Sequence, residues 1–272
     1  MTLVDPANIR PQQQPPLPLS SWEEYKIWDM VVVSGRRLLL TDVKHKSVLL
    51  VDSQEGGVLS TVTVPGLPYG VCMVNAACAA VGLIEKKLVQ YVDVNDDSLT
   101  LGKTVAVGGK VHGVCVLGDS LVVTYLDPAA VEVVTQEGQQ LHRFDNRSAD
   151  RVLFKEPWYV TVSGDRVFVS DKSTNIITML SDQLQLLATF RQPALLKWPY
   201  GIISLNDDQL LVCGWCRNNI VLLQPSSGRM SAILKNKDGD ESPVALAFCH
   251  HSRTIYTTPI SDTTSIQRYR LE

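Results

Sequence analysis

One spacing dominates this 272-residue chain. Trp28, Tyr69, His112, Trp158, Tyr200 and Pro243 follow one another at gaps of 41, 43, 46, 42 and 43 residues, each opening a short apolar run. A second marker comes one run later, at Asp42, Glu85, Asp127, Asp171, Arg217 and Asp262, with gaps of 43, 42, 44, 46 and 45. Two markers sharing a period in the low forties require a repeated supersecondary unit, and four short strands per forty-odd residues is the arithmetic of a β-propeller blade. The runs are rich in Val, Ile and Leu and are punctuated by Gly, Asp and Asn, as in Arg37–Asp42, Leu121–Leu126, Val167–Asp171 and Leu210–Gly214. No stretch keeps a helical period. The expected fold is all-β, a six-bladed β-propeller.

The last repeat is short. After Asp262 only Ser265–Leu271 remains, enough for a third strand, so its outer strand is expected from the N-terminal segment, which would close the ring and hide the sheet edges. Ser20–Ile27 is the expected donor, because Pro11, Pro15, Pro16 and Pro18 before it would each remove a ladder hydrogen bond. Residues 1–20 therefore read as a Pro/Gln-rich linker and residues 21–272 as the propeller.

The composition, 45% hydrophobic with a net charge of −3, is that of a globular chain and argues against a generally basic coat. The longest apolar stretch, Val71 to Ile84, is interrupted by Asn75 and is too short to span a membrane as a helix. The N-terminus lacks the apolar core of a secretory signal, so the six cysteines read as reduced thiols and the expected compartment is the cytoplasm. Cys213 and Cys216 form a C-x-x-C match, but an offset of three along a strand sends the two sulfurs to opposite faces.

The fourth repeat is the best formed, with Pro157-Trp-Tyr-Val160 leading into Val169-Ser-Asp171 and then Asn175-Ile-Ile177. This resembles the NHL repeat, whose inner strand reads P-x-G-V, whose second strand ends V-x-D and whose third opens N-x-I. Leu38–Asp42, Pro68-Tyr-Gly70-Val71 and Trp198-Pro-Tyr-Gly201-Ile202 match as well, and the resemblance runs from about Trp28 to the C-terminus. Arg217 at the acid position and Cys249-His250-His251 at a turn depart from the pattern. An NHL-like propeller behind a Pro-rich linker is similar to the C-terminal end of tripartite-motif ubiquitin ligases. The resemblance implies an upstream RING, B-box and coiled-coil region, and a propeller that recruits RNA or protein. No paired Cys/His series at zinc spacing is present, so the chain itself is expected not to be an enzyme, any ligase activity residing in the RING.

In a propeller the turns after the second and fourth strands share one face. There the sequence places Lys44, Lys46, Lys86, Lys87, Lys110, Lys172, Lys197 and Arg217, while the other face carries mostly acids such as Asp52, Asp93, Asp96, Asp97 and Asp165. Tyr69, His112, Trp158 and Tyr200, with Trp28, enter their inner strands from that basic side and are expected to rim a central depression. Flat rings within a belt of cations suit single-stranded RNA, whose bases stack and whose phosphates need neutralising; an acidic protein partner would fit similarly. The acids ending the second strands are expected to accept turn N–H groups, with neither metal nor cofactor required. Convergence of those acids on a metal, as in a hydrolase or lactonase propeller, is the alternative from another class, and a pure protein-binding scaffold is the third.

Overall fold

The computed structural model describes residues 9–20, 22–33, 36–146, 152–235, 242–259, 261 and 263–272. Each repeat folds as a four-stranded antiparallel sheet: blade 1 over residues 27–63, blade 2 over 68–106, blade 3 over 111–145, blade 4 over 157–190 and blade 5 over 199–235. Blade 6 takes its three inner strands from residues 243–271 and its outer strand from the N-terminus. Every inner strand packs on the inner strand of the next blade, and that of blade 6 packs on that of blade 1, so the ring closes. This is the six-bladed β-propeller expected.

Blades stack face to face, which explains the local sequence. The middle strands are covered on both sides, so they read as unbroken apolar runs instead of alternating ones: Leu38 to Asp42 are all buried, as are Val167 to Asp171. Outer strands are covered on one side, and Val58–Thr63 alternates between half-buried and exposed. The core lies between blades. Val33, Leu39 and Leu50 of blade 1 meet Val71, Val81 and Val92 of blade 2, and similar clusters fill the other seams. Truncating one of these, such as Leu39, to Ala would cost about 2–5 kcal/mol.

The register of every inner strand slips near its start, at Ile27/Asp29, Pro68/Val71, Val111/Val114, Pro157/Tyr159, Pro199/Ile202 and Pro243/Ala245. A bulge re-aims the local side chain, and here it turns the marker ring toward the axis. The residue after the marker lies against the neighbouring inner strand. At Gly70 an added Cβ would stand 2.7 Å from the His112 carbonyl oxygen and 2.8 Å from the Val114 nitrogen, so only glycine fits. Hydroxyls on the second strands tie the blades together at the same level: Thr41 donates to the carbonyl of Tyr69 at 2.7 Å, and Ser170 to that of Tyr200 at 2.7 Å.

Two expectations are corrected. The closing strand is Pro11–Pro18, paired antiparallel with Ser265–Leu271, and not Ser20–Ile27. Its prolines are tolerated because an outermost strand bonds on one side only, and the register slips between Gln14 and Leu17, where Pro15 and Pro16 need no partner. Fully buried Leu17 and nearly buried Leu19 anchor it, so much of the expected linker belongs to the sheet. The second correction concerns the repeated acid. The residue opposite the start of the inner strand is an acid only in blades 1 and 4, Asp42 facing Ile27 and Asp171 facing Pro157. Leu83 and Gly214 hold that place in blades 2 and 5, while Glu85, Asp127 and Arg217 lie in the exposed turns beyond it. Asp262 is outside the described residues. No helix among the described residues is long and apolar enough to cross a membrane.

Candidate functional site

The marker rings of blades 1 to 5 converge on the axis at one face, whereas Pro243 pairs with Pro259 at the position just before its blade's bulge, so the sixth marker falls one residue short. Ring centroids are 4.6 Å apart for Trp28 and Tyr69, 4.8 Å for Tyr69 and His112, 5.0 Å for His112 and Trp158, and 5.2 Å for Trp158 and Tyr200. Trp28 and Trp158, from opposite blades, stack at 5.3 Å. The rings therefore plug the channel instead of rimming an open depression. Five large rings re-aimed inward by the bulges leave no hole between them, so Trp28, His112 and Tyr200 are buried and only Tyr69 and Trp158 keep partial exposure. Neither ring nitrogen of His112 has a hydrogen-bond partner among the described residues, and burial pushes its imidazole down to about 3. It is neutral at physiological pH.

Beneath the plug, Tyr159 spans the channel, its hydroxyl donating to the Trp28 carbonyl of the opposite blade. Asp29 lies at the same depth and accepts N–H bonds from Met30 at 2.9 Å and Val71 at 3.0 Å. Those bonds favour the carboxylate, but desolvation outweighs them and pushes its carboxyl up to about 7. Burial also raises the thiols of Cys72, Cys115 and Cys213 around it.

On the same face as the plug, Lys172 stands over three indole and phenol rings. Its ammonium is 5.0 Å from Trp158, 5.5 Å from Trp198 and 5.8 Å from Tyr200. Trp198 stacks on Trp215 at 5.1 Å with 15° between the planes. Trp198 adopts φ of +51°, uncommon for a bulky residue, and is held there from both sides. Its N–H donates to Asn175 Oδ1 at 2.7 Å, and its carbonyl accepts the Trp215 N–H at 3.2 Å. This half-buried indole pair escaped the periodic reading because Trp215 falls in a 3-10 turn, Trp215–Arg217, outside the repeat. The W-P-Y-G motif at Trp198 and the doubled Trp around the second strand of one blade were the available signals.

The predicted cations take these positions on that face. Lys44 and Lys46 are exposed and paired, with Glu24 at 3.4 Å and Glu85 at 3.8 Å. Lys86, Lys87, Lys110 and Lys197 are exposed and form no ion pair with a described residue. Arg217 is exposed and donates to the Pro193 carbonyl at 3.0 Å. The cations nearest the indole pair are thus Lys172, Lys197 and Arg217, all from blades 4 and 5 or the segment joining them, while Lys44, Lys46, Lys86 and Lys87 stand on the turns of blades 1 and 2.

The acids do not converge. Asp42 accepts from the Lys26 and Lys44 N–H groups at 2.9 and 3.0 Å, and Asp171 from Lys155 and Glu156 at 2.7 and 2.8 Å, so each pins the chain leading into its blade. Among the described residues no three His, Cys, Asp or Glu side chains come together as metal ligands. Cys213 is buried on its strand and Cys216 is exposed on the 3-10 turn, so burial separates the pair, although the strand ends at Gly214 and the offset along a strand does not apply.

No protein-family model matches the sequence, and no curated protein does. Solved structures do match in shape. A catalytically inactive virginiamycin B lyase from Staphylococcus aureus, crystallised with quinupristin, superposes with a TM-score of 0.69 at 13% identity, over 97% of this chain and 100% of that one. A streptogramin B lyase gives 0.67 at 12%, over 98% and 99%. The Cps50 (Swd1) β-propeller domain from Myceliophthora thermophila gives 0.62 at 14%, over 90% and 84%. At such identities the likeness establishes the propeller fold. It also corrects the expectation that the chain is not an enzyme, because two of these full-length matches are lyases and a ring of this shape carries catalysis in them.

Proposed function

We propose that this propeller is a recognition module that binds single-stranded RNA on the face bearing the indole pair. One observation carries the reading: Trp198 is held in an unfavourable backbone conformation, stacked on Trp215, with the Lys172 ammonium 5.5 Å from its ring. Strain of this kind persists where the surroundings impose it and clusters at binding sites. A base laid against the outer indole gains stacking, and Lys172, Lys197 and Arg217 lie within reach of its phosphates. The unpaired Lys86, Lys87 and Lys110 extend the cationic track toward blades 2 and 3. In the same reading the NHL-like repeats mark the C-terminal end of a tripartite-motif protein working in the cytoplasm, with its RING, B-box and coiled coil upstream.

Filter binding of a short single-stranded RNA at two salt concentrations tests this. Trp215→Leu and Lys172→Gln should each weaken binding about tenfold, stacking being worth roughly 1–3 kcal/mol per base. Replacing Lys44, Lys86 and Lys87 together by Glu should flatten the salt dependence by about two in slope. Replacing Asp96 and Asp97 on the far face should change nothing. An unaltered affinity in Trp215→Leu removes the proposal, and retention of an acidic peptide in place of RNA transfers the face to a protein partner.

A further inference from the structure

The ring-closure seam holds a cavity that the periodic reading concealed. It lies on the face opposite the indole pair, between blade 6, blade 1 and the closing strand, with a volume of about 440 Å³. Arg36 of blade 1, Arg268 and Arg270 of the third strand of blade 6, and His251 of the preceding turn all line it. Face by face, the sequence assigns this side to the acids; the arginines gather only because the last blade is completed by the N-terminus and closes against the first.

The charge there is compensated only in part. Arg268 and Arg270 make no ion pair with a described residue, and Arg36 has only Asp52 at 4.0 Å. Asp52 in turn is occupied by the N–H groups of Gln54 at 2.7 Å and Glu55 at 2.9 Å. Arg268 is fixed as well. Its Nε donates to the Pro15 carbonyl at 2.6 Å and its Nη1 to the Gln54 carbonyl at 3.1 Å, which leaves the Nη2 hydrogens free and the guanidinium plane set. A guanidinium held in one orientation loses little entropy on gripping an anion, and its fork matches a phosphate. Ser53, Ser252 and Thr254 add polar groups around the wall.

We propose that this seam cavity binds a small organic phosphate, with Arg36, Arg268 and Arg270 gripping the phosphate and the remaining volume taking its organic body. A cavity of this size exceeds what a bare phosphate fills and falls in the range of small-molecule sites. A ligand seated there touches the closing strand, the last blade and the first at once, so it latches the ring.

Calorimetric titration of the whole chain with adenosine monophosphate, pyrophosphate and adenosine tests the idea. The expected result is saturable one-to-one binding of the two phosphates, none of adenosine, and a melting temperature that rises with phosphate concentration. Arg36→Gln and Arg270→Gln, both at exposed positions, should each weaken binding at least fivefold, and Arg270→Lys should restore part of it. Arg229→Gln, an exposed arginine on the same face outside the cavity, should leave it unchanged. Equal binding of adenosine, binding unaltered in Arg270→Gln, or no saturable binding of either phosphate overturns the proposal. The readout does not involve the RNA face, so the two readings fail separately.

Discussion

Asp29 offers a stability measurement whose sign follows from its surroundings. Its carboxyl is raised from 3.8 to about 7, and the groups around it, Cys72, Cys115, Tyr159 and Cys213, are all pushed upward and so are neutral near pH 7. Among the described residues no cation offsets the charge. Because the folded-state value lies above the unfolded one, the folded protein holds a proton that the unfolded chain has lost between these pH limits. The contribution of Asp29 to stability is therefore greatest below about pH 4, declines through the window and levels off above about pH 7. A gap of about three pH units corresponds to roughly 4 kcal/mol, and since Asp29 retains some exposure to the channel about half of that, roughly 2 kcal/mol, is the expected effect. Asp29→Asn keeps an oxygen to accept the Val71 N–H and cannot ionise. Urea unfolding of both proteins at pH 5, 6, 7 and 8 gives the difference at each pH, in which other titrating groups cancel. The variant should be roughly 1 kcal/mol more stable than the parent at pH 5 and about 2 kcal/mol more stable at pH 8. Parallel stability curves would show that the carboxyl titrates normally and that the channel is wet enough to solvate it.

His112 has the opposite sign: its imidazole is lowered to about 3, so the unfolded chain takes up a proton below pH 6.5 that the folded one refuses, and stability falls as the pH drops. His112→Phe should equal or exceed the parent at pH 7.5 and surpass it by about 2 kcal/mol at pH 5 in the same unfolding assay; a resonance titrating near 6.5 in the folded parent and missing from His112→Phe would refute the burial argument. Gly70→Ala should lose about 2–3 kcal/mol of stability, read as a lower denaturant midpoint, because the methyl meets the backbone of the neighbouring blade and neither strand can retreat. An unchanged midpoint would mean that the inner strands are less closely packed than Gly70 implies.

The strand order was legible because a repeat fixes it: the forty-odd period, the short apolar runs and the glycines followed by a β-branched residue at Gly70, Gly113 and Gly201 all follow from inner strands packed side by side. The marker registers were less legible. Glu85 and Arg217 fall near the period of Asp42 and Asp171, yet they lie two and three residues beyond the strand-end positions held by Leu83 and Gly214, and a gap count alone cannot separate strand end from turn. The closing strand was misplaced by treating proline as a breaker everywhere, although an outermost strand with a bulge at Pro15 and Pro16 needs few donors. The stacked pair of Trp198 and Trp215 and the arginine cavity share a different cause. Their residues come from non-equivalent positions, 17 residues apart in the first case and drawn from both ends of the chain in the second, so no periodic pattern joins them.

Departures from the repeat carry information of their own. The place that holds Gly70, Gly113 and Gly201 holds Asp29 in blade 1 and Tyr159 in blade 4, and these blades face each other across the axis. The same two blades carry the two tryptophans of the plug and the two buried acids that end second strands, Asp42 and Asp171. A glycine there would let neighbouring strands close up and leave the axis empty. A tyrosine instead reaches across to the Trp28 carbonyl, while Trp28 and Trp158 stack above it, so blades 1 and 4 are joined through the axis as well as around the rim. A ring of six weakly constrained hinges gains a diametric brace in this way. The brace fixes the inner strand of blade 4, and with it Trp158, which lies within 5.0 Å of the Lys172 ammonium poised over Trp198. The rigidity of the indole face thus depends on a contact made inside the channel, on the far side of the plug.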